Sequence, residues 1–273
     1  MRYAVYAPTS GEYDVPALAE LARGAERAGW AGFFVWDNLM ATFDGSNVLA
    51  DTTVALTAIA LATERLRFGA MVTPLPRRRP WKLAKETATL DVLSGGRLVL
   101  GVGLGGTWDF APFGEDVPLR TRGDLLDEGL DVVTRLWEGA PVDHRGRHFA
   151  LQGARLVPRP VQRPRIPIWC AGYWPGGRAL RRAARWDGVA PLSRDGDFRG
   201  LSPSELRRCV DYVMRHRPTR DALDVVHFQT AGDPGGTPEE YARAGATWWF
   251  ESTFPPEEGL AEFRARIEAG PPR

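Results

Sequence analysis

The chain has 273 residues, of which 44% are hydrophobic, so it is long enough for one large domain and too apolar to be disordered. Its 35 Lys and Arg residues balance 34 Asp and Glu residues, which leaves no bulk charge to attract nucleic acid or an anionic membrane. The two cysteines, Cys170 and Cys209, are too few for a disulfide framework or a structural zinc site. Because neither a leader peptide nor an apolar run of about 20 residues is found, we expect a cytosolic protein that does not span a membrane.

Short apolar segments of strand length alternate along the chain with longer segments of helical period. The predicted strands are residues 2–7, 32–36, 66–73, 98–102, 166–171, 188–192, 225–230 and 247–250. The predicted helices are residues 15–28, 52–63, 80–94, 122–138 and 178–185, two helices that begin at 203 and 238, and residues 257–268. Asp14, Ser202 and Thr237 are placed to cap helices, and Gly29 is placed to end one.

Eight strands that each precede a helix predict an α/β fold, a single (β/α)8 barrel over residues 1–273. The strands are almost continuously apolar, as burial on both faces requires. The irregular stretch 139–165 is interpreted as a hairpin inserted before the fifth strand. A doubly wound open sheet is the alternative architecture.

Two further clusters are interpreted as structural. The arginine run 77–79 is typical of a solvated helix face. His144 and His148 have metal-ligand spacing, but they fall in the predicted hairpin, so no metal site is expected.

Five motifs follow one another along the chain: TPLPRR at 73–78, TLDVLSGGR at 89–97, LGVGLG at 100–105, PIWCAG at 167–172 and RALRRAARWDG at 178–188. In this order they resemble the luciferase-like monooxygenase family. It extends over nearly the whole chain. It implies a barrel with a hairpin before the fifth strand that uses FMN or the deazaflavin coenzyme F420. A homodimer is implied in the same way.

The resemblance also implies where the cofactor ring would lie. The third strand is expected to carry a bulge behind the ring, formed by a cis peptide bond at Met71-Val72, and an ordinary trans strand is the alternative. Thr73 on the same strand, and Gly103, Gly105 and Gly106 after the fourth strand, would lie along the ring. For these glycines, an ordinary turn of small residues is an equal alternative.

The cofactor phosphate is expected after the fifth strand. Gly172 is predicted to end this strand, and Gly176, Gly177 and Arg178 lead into the next helix, where exposed N–H groups and a guanidinium suit an anion. A tight turn whose glycines serve only the backbone is the alternative, and Gly232–Gly236 is a rival phosphate site after the seventh strand.

Asp37 and Asn38 follow the second strand at the edge where barrels place catalysis, so they are the candidate catalytic residues. Related enzymes often have histidine near this point and, in the deazaflavin group, glutamate where this chain has Gly106. Asn38 does not act as a general base. These departures put the family's usual acid–base chemistry in doubt, and Asp37 alternatively caps a turn.

Aromatic residues in the predicted strand-to-helix loops suggest an apolar pocket over the ring. The candidate substrate contacts are Tyr6, Trp108, Phe110 and Trp174, with His227 and Glu251 as weaker candidates and packing as the alternative role. A buried core histidine is the favoured role of His227.

The preferred function is therefore an oxidoreductase that uses reduced FMN and O2 on a small apolar or aromatic compound. A separate flavin reductase would supply the reduced cofactor, because no Rossmann motif for a nicotinamide is found. The alternatives are hydride transfer with coenzyme F420 and a flavin-binding protein without catalytic activity.

Overall fold

The computed structural model describes residues 1–40, 50–115, 117–194, 199–229, 235–253 and 259–272. Its strands are β1 (Arg2–Ala7), β2 (Gly32–Val35), β3 (Arg67–Ala70), β4 (Thr73–Pro74), β5 (Leu100–Gly103), β6 (Val142–Arg145), β7 (Ala150–Ala154), β8 (Ile168–Trp174), β9 (Gly188–Ser193), β10 (Asp224–Gln229) and β11 (Trp248–Ser252). Its helices are α1 (Val15–Ala28), α2 (Thr52–Ala62), α3 (Pro80–Leu93), α4 (Leu119–Trp137), α5 (Arg178–Ala183), α6 (Pro203–His216), α7 (Pro238–Ala244) and α8 (Leu260–Glu268).

Nine strands form one parallel sheet in the order β3-β2-β1-β11-β10-β9-β8-β5-β4. The sheet curls into a nearly closed barrel, because the Val99 N–H donates to the Phe68 carbonyl oxygen (2.9 Å) and so joins β3 to the start of β5. The predicted barrel is confirmed, and the open sheet is excluded. β3 and β4 together fill the third strand position, and the Met71-Val72 peptide between them is cis, as expected.

The predicted hairpin is also present. β6 and β7 pair antiparallel between α4 and β8, within the segment 139–165. The predicted caps are confirmed as well. The Asp14 carboxylate accepts from the Ala17 N–H (2.8 Å), Gly29 has φ of 93°, and Ser202 and Thr237 each form a capping box.

The largest difference from the predicted boundaries is at β8, which continues three residues past the predicted end at 171. Gly172 therefore pairs with Pro191 inside the sheet and does not end the strand. The start of the last predicted helix and residues 232–234 of the rival glycine segment lie outside the described residues.

The core has two parts, which follow from the alternation of side chains along each strand. The barrel interior is filled mainly by aromatic rings, with Phe34 stacked between Trp169 (5.4 Å between ring centroids) and Phe250 (4.6 Å). A larger apolar layer lies between the sheet and the surrounding helices. Within the described part of the chain, none of the helices has the length and hydropathy needed to span a bilayer.

Candidate functional site

A cavity of about 430 Å³ opens at the carboxyl ends of the barrel strands. This is the edge where barrels place their active sites, and the volume is within the range of small-molecule pockets. The predicted residues that line it are Tyr6, Asp37, Asn38, Met71, Val72, Gly103, Gly105, Gly106, Trp108 and Gly172. The remaining wall is mostly apolar and includes Trp36, Leu104, Leu119, Tyr173, Leu192 and Phe228.

The cis peptide between β3 and β4 forms part of the cavity wall. The Tyr6 hydroxyl donates to the Met71 carbonyl oxygen, and burial raises the pKa of Tyr6 above its usual value. Beside it, a Cβ on Gly103 would collide with the side chain of Val72. Gly103 is therefore needed so that β5 can approach β4 closely. Thr73 lies on β4, beside a second and much smaller cavity.

The glycines of the turn after β5 are also needed for close packing, as Gly103 is. Gly105 has φ of +72°, and a Cβ there would stand 2.7 Å from the ring of Phe110. A Cβ on Gly106 would overlap the Trp108 ring. The chain's own packing thus accounts for both glycines, and the space above them is part of the cavity.

Four charged side chains form a buried network at the cavity wall, which we name the charge quartet: Asp37, Arg77, Arg78 and Asp109. Arg77 bridges the two carboxylates, with nitrogen–oxygen distances of 3.1 Å to Asp37 and 2.8 Å to Asp109. Arg78 holds both oxygens of Asp37 at 2.8 and 2.7 Å. The interpretation of run 77–79 as a solvated face is therefore wrong for its first two members, which turn inward to neutralise buried acids.

The charge quartet also positions backbone. Asp109 accepts from the backbone N–H groups of Leu39 (3.0 Å) and Met40 (3.1 Å), so it ties the segment after β2 to the turn after β5. Burial raises the pKa of Asp37, while the guanidinium groups of Arg78 and Arg77 act in the opposite direction. Two charge-assisted contacts hold Asp37 in place, so it is a poor candidate for a free base.

The segment after β8 contains the predicted phosphate turn. Gly172, Tyr173 and Ala179 line the cavity, and Gly176 and Gly177 form the turn into α5. Arg178 points away from the cavity and bonds to Asp124 (2.6 Å) and Asp127 (2.8 Å) on α4.

Comparison with known proteins decides the family. The sequence model of the family described as luciferase-like monooxygenase matches residues 1–197. The chain belongs to this family. Its members are oxidoreductase enzymes.

Relatives within the luciferase-like family differ in cofactor and reaction. The chain is 30% identical over 259 residues to an F420-dependent glucose-6-phosphate dehydrogenase of Nakamurella multipartita, a match that covers 93% of this chain and 74% of that protein. Among solved structures, it resembles an F420-dependent tetrahydromethanopterin reductase of Methanopyrus kandleri (TM-score 0.77, 18% identity, 98% and 96% covered). It also resembles a monooxygenase of Streptomyces bottropensis (TM-score 0.75, 18% identity, 98% and 97% covered). The structural likeness establishes the fold alone.

Four predicted substrate contacts of this luciferase-like protein lie outside the cavity. Phe110 is buried beneath the turn after β5, with the Arg122 guanidinium 4.1 Å from its ring centroid. Trp174 packs against Tyr212 on α6, at 6.0 Å between ring centroids. Their place in the sequence was right for the cavity edge, but their side chains point into the helix layer.

The side chains of His227 and Glu251 also lie outside the cavity, since each is on the outer face of its strand. His227 stacks on Tyr241 of α7 at 3.6 Å between ring centroids, and burial lowers its pKa to about 3. Glu251 accepts from Trp249 Nε1 (3.0 Å) and pairs with Arg266 of α8. His227 is thus a buried core histidine, the role that the sequence favoured.

Sequence reasoning missed several residues of the cavity. His227 faces outward, and successive side chains of a strand point to opposite faces, so its neighbour Phe228 points into the barrel. Deciding which of the two faces inward requires the register of β10. Arg77 and Asp109 gave no sequence signal as partners, because 32 positions separate them.

The two thiols and the possible metal ligands add no chemistry. Burial raises the pKa values of both Cys170 and Cys209 to about 12, so neither is a reactive thiolate. Nowhere in the described ranges do three or more His, Cys, Asp or Glu side chains come together as a metal-binding group.

Proposed function

We propose that this luciferase-like enzyme binds reduced FMN in the cavity at the carboxyl end of the barrel and oxygenates a small apolar or aromatic compound. The residues fit such a cofactor, because the cavity combines flat apolar walls with a glycine-containing turn at one end. Met71, Val72 and Gly103 would border the ring, and the turn at Gly176 and Gly177 would hold the phosphate. When bound, reduced FMN supplies two electrons to O2, so that one oxygen atom enters the substrate and the other leaves as water.

The observation that carries this proposal is the charge quartet in an otherwise apolar cavity. Hydride transfer from an alcohol leaves a hydroxyl proton that a base must accept. Among the described cavity residues, the two carboxylates Asp37 and Asp109 are both held by arginine, and the Tyr6 hydroxyl is bonded to Met71. Oxygenation with a reduced cofactor does not require such a base on the protein, which needs only to orient the substrate and exclude water.

The apolar and the charged walls of the cavity both help to orient the substrate and exclude water. The aromatic and aliphatic side chains Trp36, Trp108, Leu192 and Phe228 bind the substrate by apolar contact and displace water. The charge quartet fixes the wall that contains Asp37 and holds the backbone on both sides of Asn38. A separate reductase would deliver the reduced cofactor.

Hydride transfer with coenzyme F420 is the second candidate, because the Nakamurella multipartita relative is named for that cofactor. A parallel equilibrium titration with oxidised FMN, reduced FMN and coenzyme F420 separates the two. We expect tightest binding of reduced FMN and oxygen consumption that depends on an added substrate. A clear preference for coenzyme F420 would replace the proposal with hydride transfer, and binding of none of the three would refute both.

A further inference from the structure

Arg178, the cation that the sequence suggests for the predicted phosphate turn at Gly176 and Gly177, is already paired elsewhere. Arg178 opens α5, but its guanidinium is already paired with Asp124 and Asp127. These bonds also lower the pKa of Asp124, so the acid is charged and keeps its hold on Arg178. Arg182 on this helix and Arg185 just after it bond to Asp127 as well, so the arginines here that face α4 are already engaged.

A different arginine stands next to the turn. Arg194 directly follows β9, and its backbone N–H donates to the Trp174 carbonyl oxygen (2.9 Å), which places it beside the end of β8. Its guanidinium nitrogen Nη2 lies 3.8 Å from the point where a Cβ of Gly176 would stand. The Arg194 side chain is exposed and makes neither a hydrogen bond nor an ion pair with the described part of the chain.

A second guanidinium also lies close to the turn. Arg181 Nη1 is 3.3 Å from the corresponding Cβ point of Gly177, and it donates to the Tyr212 hydroxyl (3.1 Å). Gly176 has to be glycine, because a Cβ there would collide with the Tyr173 carbonyl oxygen. The turn therefore presents bare backbone close to two arginines, of which Arg194 is the less engaged among the described residues.

We propose that Arg194, assisted by Arg181, binds the phosphate of the cofactor and that Arg178 does not. The guanidinium fork matches the geometry of a phosphate and forms charge-assisted hydrogen bonds with it. Gly172 and Tyr173 line the cavity and lead along β8 to this turn, so a cofactor whose ring lies in the cavity can extend its tail to Arg194. The inference rests on the proposed function, because it requires a flavin in the cavity.

The test compares FMN with riboflavin, which has the same ring and lacks the phosphate. The dissociation constants of both are measured by flavin fluorescence for the wild-type protein and for Arg194→Gln, Arg194→Lys and Arg178→Gln. We expect wild type to favour FMN, and Arg194→Gln to weaken FMN binding about 10- to 100-fold while riboflavin binding is unchanged. Arg194→Lys keeps the charge without the fork and should fall between the two.

Arg178→Gln is the matched control, since it removes the same charge at the residue that directly follows the turn. It should leave the ratio of FMN to riboflavin affinity unchanged. If Arg178→Gln abolishes the preference for FMN and Arg194→Gln keeps it, the assignment is overturned in favour of Arg178. Equal binding of FMN and riboflavin by wild type would overturn a phosphate site at this turn while leaving a flavin in the cavity. Failure of wild type to bind any flavin would instead refute the proposed function.

Discussion

Replacing Arg77 by glutamine should destabilise the protein far more than replacing its neighbour Arg79. The Arg77 side chain is 6% exposed and bridges two carboxylates that are 4% and 2% exposed. Removing one partner of a buried ion pair costs about 3–5 kcal/mol, because the remaining charge is left without compensation. Asp37 keeps Arg78 and Asp109 keeps two backbone donors, so we expect the lower end of that range, about 3 kcal/mol.

The measurement is the free energy of unfolding in guanidinium chloride, followed by far-UV circular dichroism and tryptophan fluorescence. Both probes are needed, because the estimate holds only if their transitions coincide. Arg79→Gln removes the same charge from an exposed side chain whose described contact is a distant approach to the Trp81 ring, so it should cost less than about 1 kcal/mol. Equal losses for Arg77→Gln and Arg79→Gln would show that the charge quartet does not contribute to stability as argued.

Three further predictions concern the cavity and the ionisable groups. Gly103→Ala should cost about 1–3 kcal/mol and weaken flavin binding in a titration, because its Cβ would press on Val72. Asp127→Asn should lower the free energy of unfolding at pH 7 by about 1.5–3 kcal/mol, measured in urea. Burial raises the pKa of Asp127, but its bonds to Arg182 and other arginines lower that pKa by more, so the net pKa is below its usual value. The difference between wild type and variant should therefore shrink below about pH 4. Burial lowers the pKa of His227 to about 3, so the wild-type protein should lose unfolding free energy as the pH falls from about 6.5 towards 3 and the unfolded chain takes up the proton. His227→Phe should reduce the slope of unfolding free energy against pH in that range. An identical slope for wild type and variant would contradict this.

Local patterns in the sequence were sufficient for the fold. Capping residues such as Asp14 and Ser202, and a glycine such as Gly29, act within a few positions of where they stand, so the helix they bound can be predicted from neighbours alone. The resemblance to the luciferase-like family supplied what local patterns do not contain, namely the cis peptide at Met71-Val72.

The candidate site was predictable only where the backbone builds it. Glycines and strand ends fix where the chain runs, and Gly103, Gly106 and Asp37, which were chosen on that ground, line the cavity. Side-chain direction could not be predicted in this way, because it depends on strand register and on partners that are distant in the sequence. Glu251 points outward since it follows the inward Phe250.

The charge quartet separates the selection of the substrate from the recognition of the cofactor. Two guanidinium groups and two carboxylates sum to no net charge, so the described wall of the cavity offers apolar contact and little electrostatic attraction. If the proposed assignment holds, discrimination between FMN and riboflavin arises at Arg194 beside the turn, whose guanidinium has no partner among the described residues. Mutations of Trp108 or Phe228 should accordingly change which organic compounds bind, whereas a change at Arg194 should alter the choice of cofactor and leave the order of preference among substrates as it was.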